Sequence, residues 1–254
     1  MKVSIITVTL NSITTINDCI NSVKEQKYNN IEHIIIDGGS TDGTLSLLES
    51  KKDQFAILVS ELDKGIYDAM NKGINIATGD IIGFLNSDDF YVNENVISKI
   101  ITLFKKNDSL EGCYSDLIYI DKFDITKTIR YWKSSEFRSG LFSKGWSPPH
   151  TTFFVRNSIY KKFGCFNLNY QISSDIDLMM RFLEIHRINV QYVPEIWIKM
   201  RMGGASNKSV RSIINQNLEV LNALAKNNLP SNFLIFSIFK IISRVKQFFQ
   251  KPKN

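Results

Sequence analysis

"IIGFLNSDDFY", residues 81–91, runs an apolar segment straight into two adjacent carboxylates, Asp88 and Asp89. A short apolar run that ends in turn residues has the pattern of a buried strand. Like charges side by side repel, so the pair calls for a cation or a phosphate–metal complex at the strand's end. The plain alternative is a solvated turn, because Asn, Ser and Asp favour turns on their own. The flanking segments decide between the two.

Upstream, "VSIITVTL" (3–10) is a second buried strand ending at Asn11 and Ser12, and "TINDCINSVKEQ" (15–26) spaces Ile16, Cys19, Ile20 and Val23 along one helical face. "IEHIIID" (31–37) is a strand dropping into a Gly/Ser/Asp loop, with Ser40 or Thr41 as cap of a helix carrying Leu45, Leu47 and Leu48. "FAILVSE" (55–61) is another strand and "GIYDAMNKGINIA" (65–77) another helix. Strands alternating with helices imply an α/β protein with a Rossmann-like, mostly parallel sheet covered on both faces. Ligands of such sheets sit beyond the carboxyl ends of the strands. Asn11, Asp37, Glu61 with Asp63, and Asp88 with Asp89 all fall there. Four polar strand ends in one half-chain favour a binding crevice over unrelated turns.

Beyond residue 90 the pattern turns irregular and aromatic, with strands expected over 112–120 and 126–132. "KGWSPPHTTFFVRNSIYKKFG" (144–164) gives a Pro-Pro loop, a strand and a short helix; "SSDIDLMMRFLEIH" (173–186) is a helix. "INVQYVPEIWIKMR" (188–201) reads as strand pieces broken at Pro194, and two helices finish the chain.

The 254 residues suffice for a sizeable core, and 43% hydrophobic with 22% charged residues is ordinary for a soluble globular protein. Cys19, Cys113 and Cys165 lack metal spacing and read as core residues of a reducing compartment. The N-terminal apolar run is too short for a signal peptide, and no run reaches the ~18 residues that span a bilayer. A cytoplasmic protein is expected. The net charge of +6 gathers near the end, and no Lys/Arg block with interleaved aromatics marks a nucleic-acid stripe, so no nucleic-acid partner is expected.

"DGGSTDGT" (37–44) is Gly-rich but lacks the lysine of a phosphate loop, and GxGxxG is absent. Asp37 is a candidate acceptor from a nucleobase or ribose; a turn with a helix cap explains it nearly as well. In "SSDIDLMMR" (173–181), Ser174 as N-cap places Asp177 at N3, within reach of a capping box and four residues before Arg181. Asp175 then falls at N1, held ionised by the helix field and free to face the crevice as a general base. His150, after Pro148-Pro149, is a candidate contact to phosphate or acceptor, or equally a loop histidine; His33 reads as structural.

The chain resembles the family 2 glycosyltransferases, and among them the bacterial enzymes of capsule, O-antigen and exopolysaccharide assembly. The resemblance spans residues 1–206 and rests, in order, on "VSIITVTLN", "DGGSTDGT", "DKGIYDAMNKGINIATGDIIGFLNSDD", "GCFN", "SSDIDLMMR" and "GGAS". It implies the A-type glycosyltransferase fold, with a nucleotide-sugar half (1–90), an acceptor half (91–206) and a helical tail (207–254). It also implies inverting transfer of one sugar from a nucleotide-sugar donor to a saccharide acceptor, with Mg2+ or Mn2+ as cofactor. By position, Thr9 and Asp37 match base contacts and Asn71 a donor-site asparagine. Asp88 matches the ribose or metal shell, Asp89 the cation ligand, Asp175 the base and "GGAS" a loop near the donor phosphates, which Arg201 would approach. Val8 stands where many members have Pro, and Asn86 replaces the first Asp of the commoner acidic motif. No QxxRW follows the base, which favours single-sugar addition over processive synthesis.

The rival readings are a sugar-phosphate nucleotidyltransferase, which wants a basic Gly-rich loop near the N-terminus, and a non-catalytic membrane scaffold. "TVTLNSITT" (7–15) has neither Gly nor a basic residue. In the tail, Leu234, Ile235, Ile238, Ile241, Ile242, Val245, Phe248 and Phe249 recur at helical steps, with Lys240, Arg244, Gln247 and Lys251 opposite. Such a stripe either packs on the domain or, since every charge there is positive, lies on an anionic membrane. The second option, beside a polyprenyl-phosphate-linked acceptor on the inner face of the cell membrane, is the expectation.

Overall fold

The computed structural model describes residues 1–203 and 210–250. Its sheet is built outward from β1 (Val3–Thr9), whose parallel neighbours are β2 (Ile31–Asp37) on one side and β4 (Ile81–Phe84) on the other; β3 (Ile57–Ser60) extends it parallel to β2. Past β4 the pairing becomes mixed. The full order is β3-β2-β1-β4-β8-β6-β9-β5, where β5 is Phe90–Tyr91, β6 Gly112–Ile120, β8 Phe154–Arg156 and β9 Val190–Arg201. β8 runs antiparallel to both neighbours, β9 parallel to β6, and β7 (Thr128–Trp132) pairs with β6 as a hairpin.

Alternation along β1 sends side chains to two cores, because successive residues of a strand point to opposite faces. Val3 and Ile5 pack with Cys19 and Val23 of α1 (Ile16–Lys24) and with Ile97, Ile100 and Phe104 of α4 (Val96–Lys106). Ile6 and Val8 pack with Met70 and Ile74 of α3 (Ile66–Ile76), in a core shared with α5 (Asn157–Phe163), α6 (Ser174–Met180) and α7 (Val210–Lys226). Cys19 and Cys113 are buried and all three cysteines are free thiols. His33 is buried too, its Nε2 2.9 Å from Thr7 Oγ1.

Three local expectations change. The helix α2 (Thr44–Ser50) begins after Gly43 at φ +96°, so neither Ser40 nor Thr41 caps it; Asp42 Oδ1 accepts from the Thr44 amide instead. β9 passes through Pro194 unbroken, because the ladder with β6 shifts register around Asp116, and a bulge accommodates a residue with no N–H to donate. The helix α6 begins at Ser174 behind Ser173, one residue earlier than the capping pattern implies, and continues as a π-helical turn through Ile185.

The last helix, α8 (Phe233–Phe249), is capped by Asn232, whose side-chain oxygen accepts from the Leu234 and Ile235 amides. It lies over β7 and the turn at 142–145 with its stripe turned outward: Leu234, Ile241 and Phe249 are 67%, 63% and 82% exposed, while Phe236 and Gln247 are buried. No helix among the described residues is long and apolar enough to cross a membrane. Gly204, Ala205, Ser206 and Lys251 lie outside the described residues.

Candidate functional site

The strand order reverses direction at β1, between β2 and β4, and the crevice opens at that switch point. A cavity of about 330 Å3 lies there, walled by Thr9 and Ser12 after β1, Asp63 after β3, Ile66 and Ala69 on α3, and Asn86 to Asp88 after β4. Thr9, Asp63 and Asp88 therefore meet in one place. The Thr9 hydroxyl and the Asn86 Oδ1 are buried there without a hydrogen-bond partner. The Ser12 and Ser87 hydroxyls, 2.9 Å apart, tie the β1 and β4 ends together.

Asp63 sits where it does because Gly38 has no side chain: a Cβ on Gly38 would stand 2.4 Å from Asp63 Oδ2. Asp37 lies below this wall, fully buried, with its carboxylate taken up by the amides of Gly39 and Ser40 and the hydroxyls of Ser40 and Ser60. Asn11, at φ +52°, accepts from the Thr41 amide and donates its own amide to Ser40 Oγ, so it pins the 37–44 loop to the end of β1. Asn71 makes a double hydrogen bond to the backbone of Phe166, each 2.9 Å, which clasps α3 to the "GCFN" turn. These three side chains shape the cleft from behind.

The acidic pair divides in the same way. Asp88 lines the cavity, whereas Asp89 is 1% exposed and accepts from Asn86 Nδ2 and the Arg201 amide. Burial raises both carboxyl pKa values; Asp88 adds to the rise at Asp89, while Arg201 and then His150 pull Asp88 back down. Arg201 lies under the pair, its guanidinium donating to the Asp88 carbonyl at 2.7 Å and to Asp18. A half-buried and a buried carboxylate side by side suit a hard divalent cation, which prefers oxygen ligands and is held by one or two carboxylates plus substrate phosphates. Among the described residues no three His, Cys, Asp or Glu group into a self-sufficient metal cluster.

Asp175, on α6, is tied to the α3 wall of the crevice through Tyr67. Its Oδ2 is 3.3 Å from His150 Nδ1 and its Oδ1 3.0 Å from the Tyr67 hydroxyl, which also lies 2.7 Å from the Ile172 carbonyl. His150 thus pairs with Asp175 and lies near enough to Asp88 for its charge to act on that carboxylate. Asp177 faces inward, 3.0 Å from Arg181 Nε, and Arg181 also donates to the carbonyls of Phe163 and Cys165. No side chain caps α6; Glu219 of α7 accepts from the amides of Gln171, Ile172 and Ser173 at 2.8–3.0 Å and fixes the turn that carries Asp175. Sequence reasoning did not single out Tyr67 or Glu219, since their partners lie 108 and 46 residues away along the chain.

Comparison with known proteins fits this geometry. The family model described as Glycosyl transferase family 2 matches residues 4–164. A PGL/p-HBAD biosynthesis glycosyltransferase of Mycobacterium bovis is 28% identical over 211 residues, 82% of this chain and 80% of that protein. An uncharacterized glycosyltransferase of Mycobacterium tuberculosis is 33% identical over 182 residues, 70% of this chain and 68% of its own length. Among solved structures, S. aureus TarS 1–349 in complex with UDP superposes with a TM-score of 0.66 at 17% identity, covering 94% of this chain and 70% of that one. The mannosyltransferase PcManGT from Pyrobaculum calidifontis, in complex with GDP-Man and Mn2+, gives 0.65 at 16% identity, over 95% and 69%. These neighbours share the A-type glycosyltransferase fold, and the chain belongs to glycosyl transferase family 2.

Proposed function

We propose that this glycosyltransferase is inverting and non-processive, moving one sugar from a nucleotide-sugar donor to a lipid-borne saccharide acceptor in bacterial surface polysaccharide synthesis. One observation carries the reading: Asp175 is braced by His150 and by Tyr67, and Tyr67 belongs to α3, the helix that walls the cavity at the β1/β4 switch point into which Thr9, Asp63 and Asp88 converge. The nucleotide lies in that cavity, its base and ribose against Thr9, Asp63 and Asp88. The acceptor hydroxyl gives its proton to Asp175 as its oxygen bonds to the anomeric carbon from the face opposite the diphosphate. The bond from that carbon to the phosphate oxygen breaks, and the nucleoside diphosphate leaves with the electron pair, so the configuration inverts. His150 and Tyr67 hold the carboxylate at the required angle, work worth a large share of a barrier when geometry is exact to a fraction of an ångström. Asp88, with Asp89 behind it, would hold Mg2+ or Mn2+ together with the donor phosphates, and the cation would neutralise charge on the leaving diphosphate.

The outward stripe of α8, with the exposed positive charge of Lys246 on the same helix, supports docking on the anionic face of the cell membrane from the cytoplasmic side. A panel of UDP-, GDP- and dTDP-sugars, assayed for nucleotide release with and without Mn2+, tests the activity. A match shows metal-stimulated release that Asp175→Asn abolishes; no release from any donor under either condition would overturn it.

A further inference from the structure

A second cavity, about 110 Å3, lies beneath α8, with Arg130 of β7, Trp146, Ile176 of α6, and Lys240, Arg244 and Gln247 on its wall. A water-sized group needs ~10–15 Å3 by this measure, so the space takes a group of several heavy atoms. Lys133 adds a fourth cation, and no Asp or Glu stands among the described lining residues. Arg130 is buried, its guanidinium 3.8 Å above the Tyr119 ring. Burial and then the Arg244 charge push the Lys240 ammonium down to about 8, with Asp175 opposing. Burial and then Arg130 lower Arg244 as well.

The wall also holds unsatisfied donors. Arg130 Nε and Trp146 Nε1 are buried with no hydrogen-bond partner. The amide oxygens of Gln216 and Gln247 are likewise unpaired, and rotating either amide presents its NH2 group instead. A hole lined by crowded cations and idle N–H groups is matched by a multivalent anion that only accepts hydrogen bonds, and the planar guanidinium fork suits phosphate oxygens.

The helix that roofs the cavity also says what the anion is attached to. Lys240, Arg244 and Gln247 turn inward from α8, while Ile241, Ile242 and Val245 on its other side are exposed. The exposed Lys133 and Ser243 put the cavity's mouth at the edge of that apolar surface. A ligand with an anionic head and a hydrocarbon tail fits both surfaces at once. We propose that the cavity is an anion site, separate from the donor cleft, for the phosphate or diphosphate of a lipid-borne acceptor whose chain follows the outer face of α8. The proposal rests on the reading of Asp175 as the base on the acceptor side: Ile176 sets the cavity one residue from it.

The test is titration of the full chain with farnesyl diphosphate and with inorganic pyrophosphate, each with UDP or GDP saturating the donor cleft. The expected result is farnesyl diphosphate binding at least tenfold tighter than pyrophosphate, and a loss of tenfold or more for both in Lys240→Gln/Arg244→Gln. Should that double variant fail to fold, Lys133→Glu at the exposed mouth is expected to weaken binding several-fold. No binding by the wild-type chain, or unchanged affinity in the folded variants, would overturn the site. Equal affinity for the two probes would overturn the lipid assignment. Nucleotide binding is measured in the same preparations, so a failure of the donor reading shows separately.

Discussion

Asp175 and Asp177 are two residues apart on one helical turn and meet opposite environments. Asp175 is half-buried against His150 and Tyr67; Asp177 is buried against Arg181. Asp175→Asn is expected to keep nucleotide binding and fold while lowering turnover by ~10^2 or more, the usual range for a lost general base. Asp177→Asn is expected to keep turnover per folded molecule and lose about 3 kcal/mol of stability, as for a broken buried ion pair. Parallel kinetics and denaturant melts decide it, and reversed phenotypes would sink the assignment. Asp63 and Asp88 were legible in the sequence because apolar strand runs end where the crevice begins, and Thr9 through the family resemblance. Tyr67 was not: its partner Asp175 is 108 residues away, and no local pattern announces such a contact. Asp37 and Asn11 at strand ends, and Asn71 on α3, carry residue types suited to a donor site, yet their hydrogen bonds go to the protein's own loops.

Among the elements, the strands and helices themselves follow from hydrophobic periodicity, while their ends follow from contacts the periodicity does not contain. The helix α6 starts where it does because Glu219, 46 residues on, accepts from Ser173. Glu219→Ala is expected to orphan three amides and cost ~1–3 kcal/mol. It should also lower kcat while leaving the donor KM unchanged, and Glu219→Gln, which keeps one acceptor oxygen, should lose less. A donor KM that rises as far as kcat falls would mean that α7 supports the nucleotide cleft instead. Pairing of the first strands carries a pH signature. Glu32 on β2 is buried, which alone would raise its pKa, but hydrogen bonds from Lys2, Ser4 and Thr78 outweigh burial and hold it at about 2 against an ordinary 4.5. A carboxylate depressed on folding stabilises above its ordinary value, and that stability is lost as pH falls. Melting temperature is therefore expected to drop between pH ~4.5 and ~2, and the drop should shrink in Glu32→Gln; an unchanged acid limb would show that Glu32 does not govern it.

At the scale of the molecule, α8 is a helix mounted inside out. Its amphipathic pattern was plain in the sequence, but the pattern cannot say which face turns inward, and the usual expectation is apolar in. The structure has Phe236 buried and Lys240 and Arg244 turned toward β7, with the Leu/Ile/Phe stripe outside. Burying one Phe stabilises by only about 1.5–3 kcal/mol, so packing alone holds the helix weakly. Contiguous exposed apolar surface of this kind marks an interaction site. Truncation before Ser231 is therefore expected to leave the α/β domain folded, with its nucleotide affinity within about twofold of the full chain, since α8 touches none of the donor cleft. The truncated chain should no longer sediment with vesicles containing phosphatidylglycerol, whereas the full chain should, and less so as salt rises, because the attraction includes the screened charge of the exposed Lys246. Full-chain dimers that persist without vesicles, with no vesicle binding, would assign the stripe to a second copy of this chain. Vesicle binding undiminished by the truncation would move the membrane contact off α8 altogether.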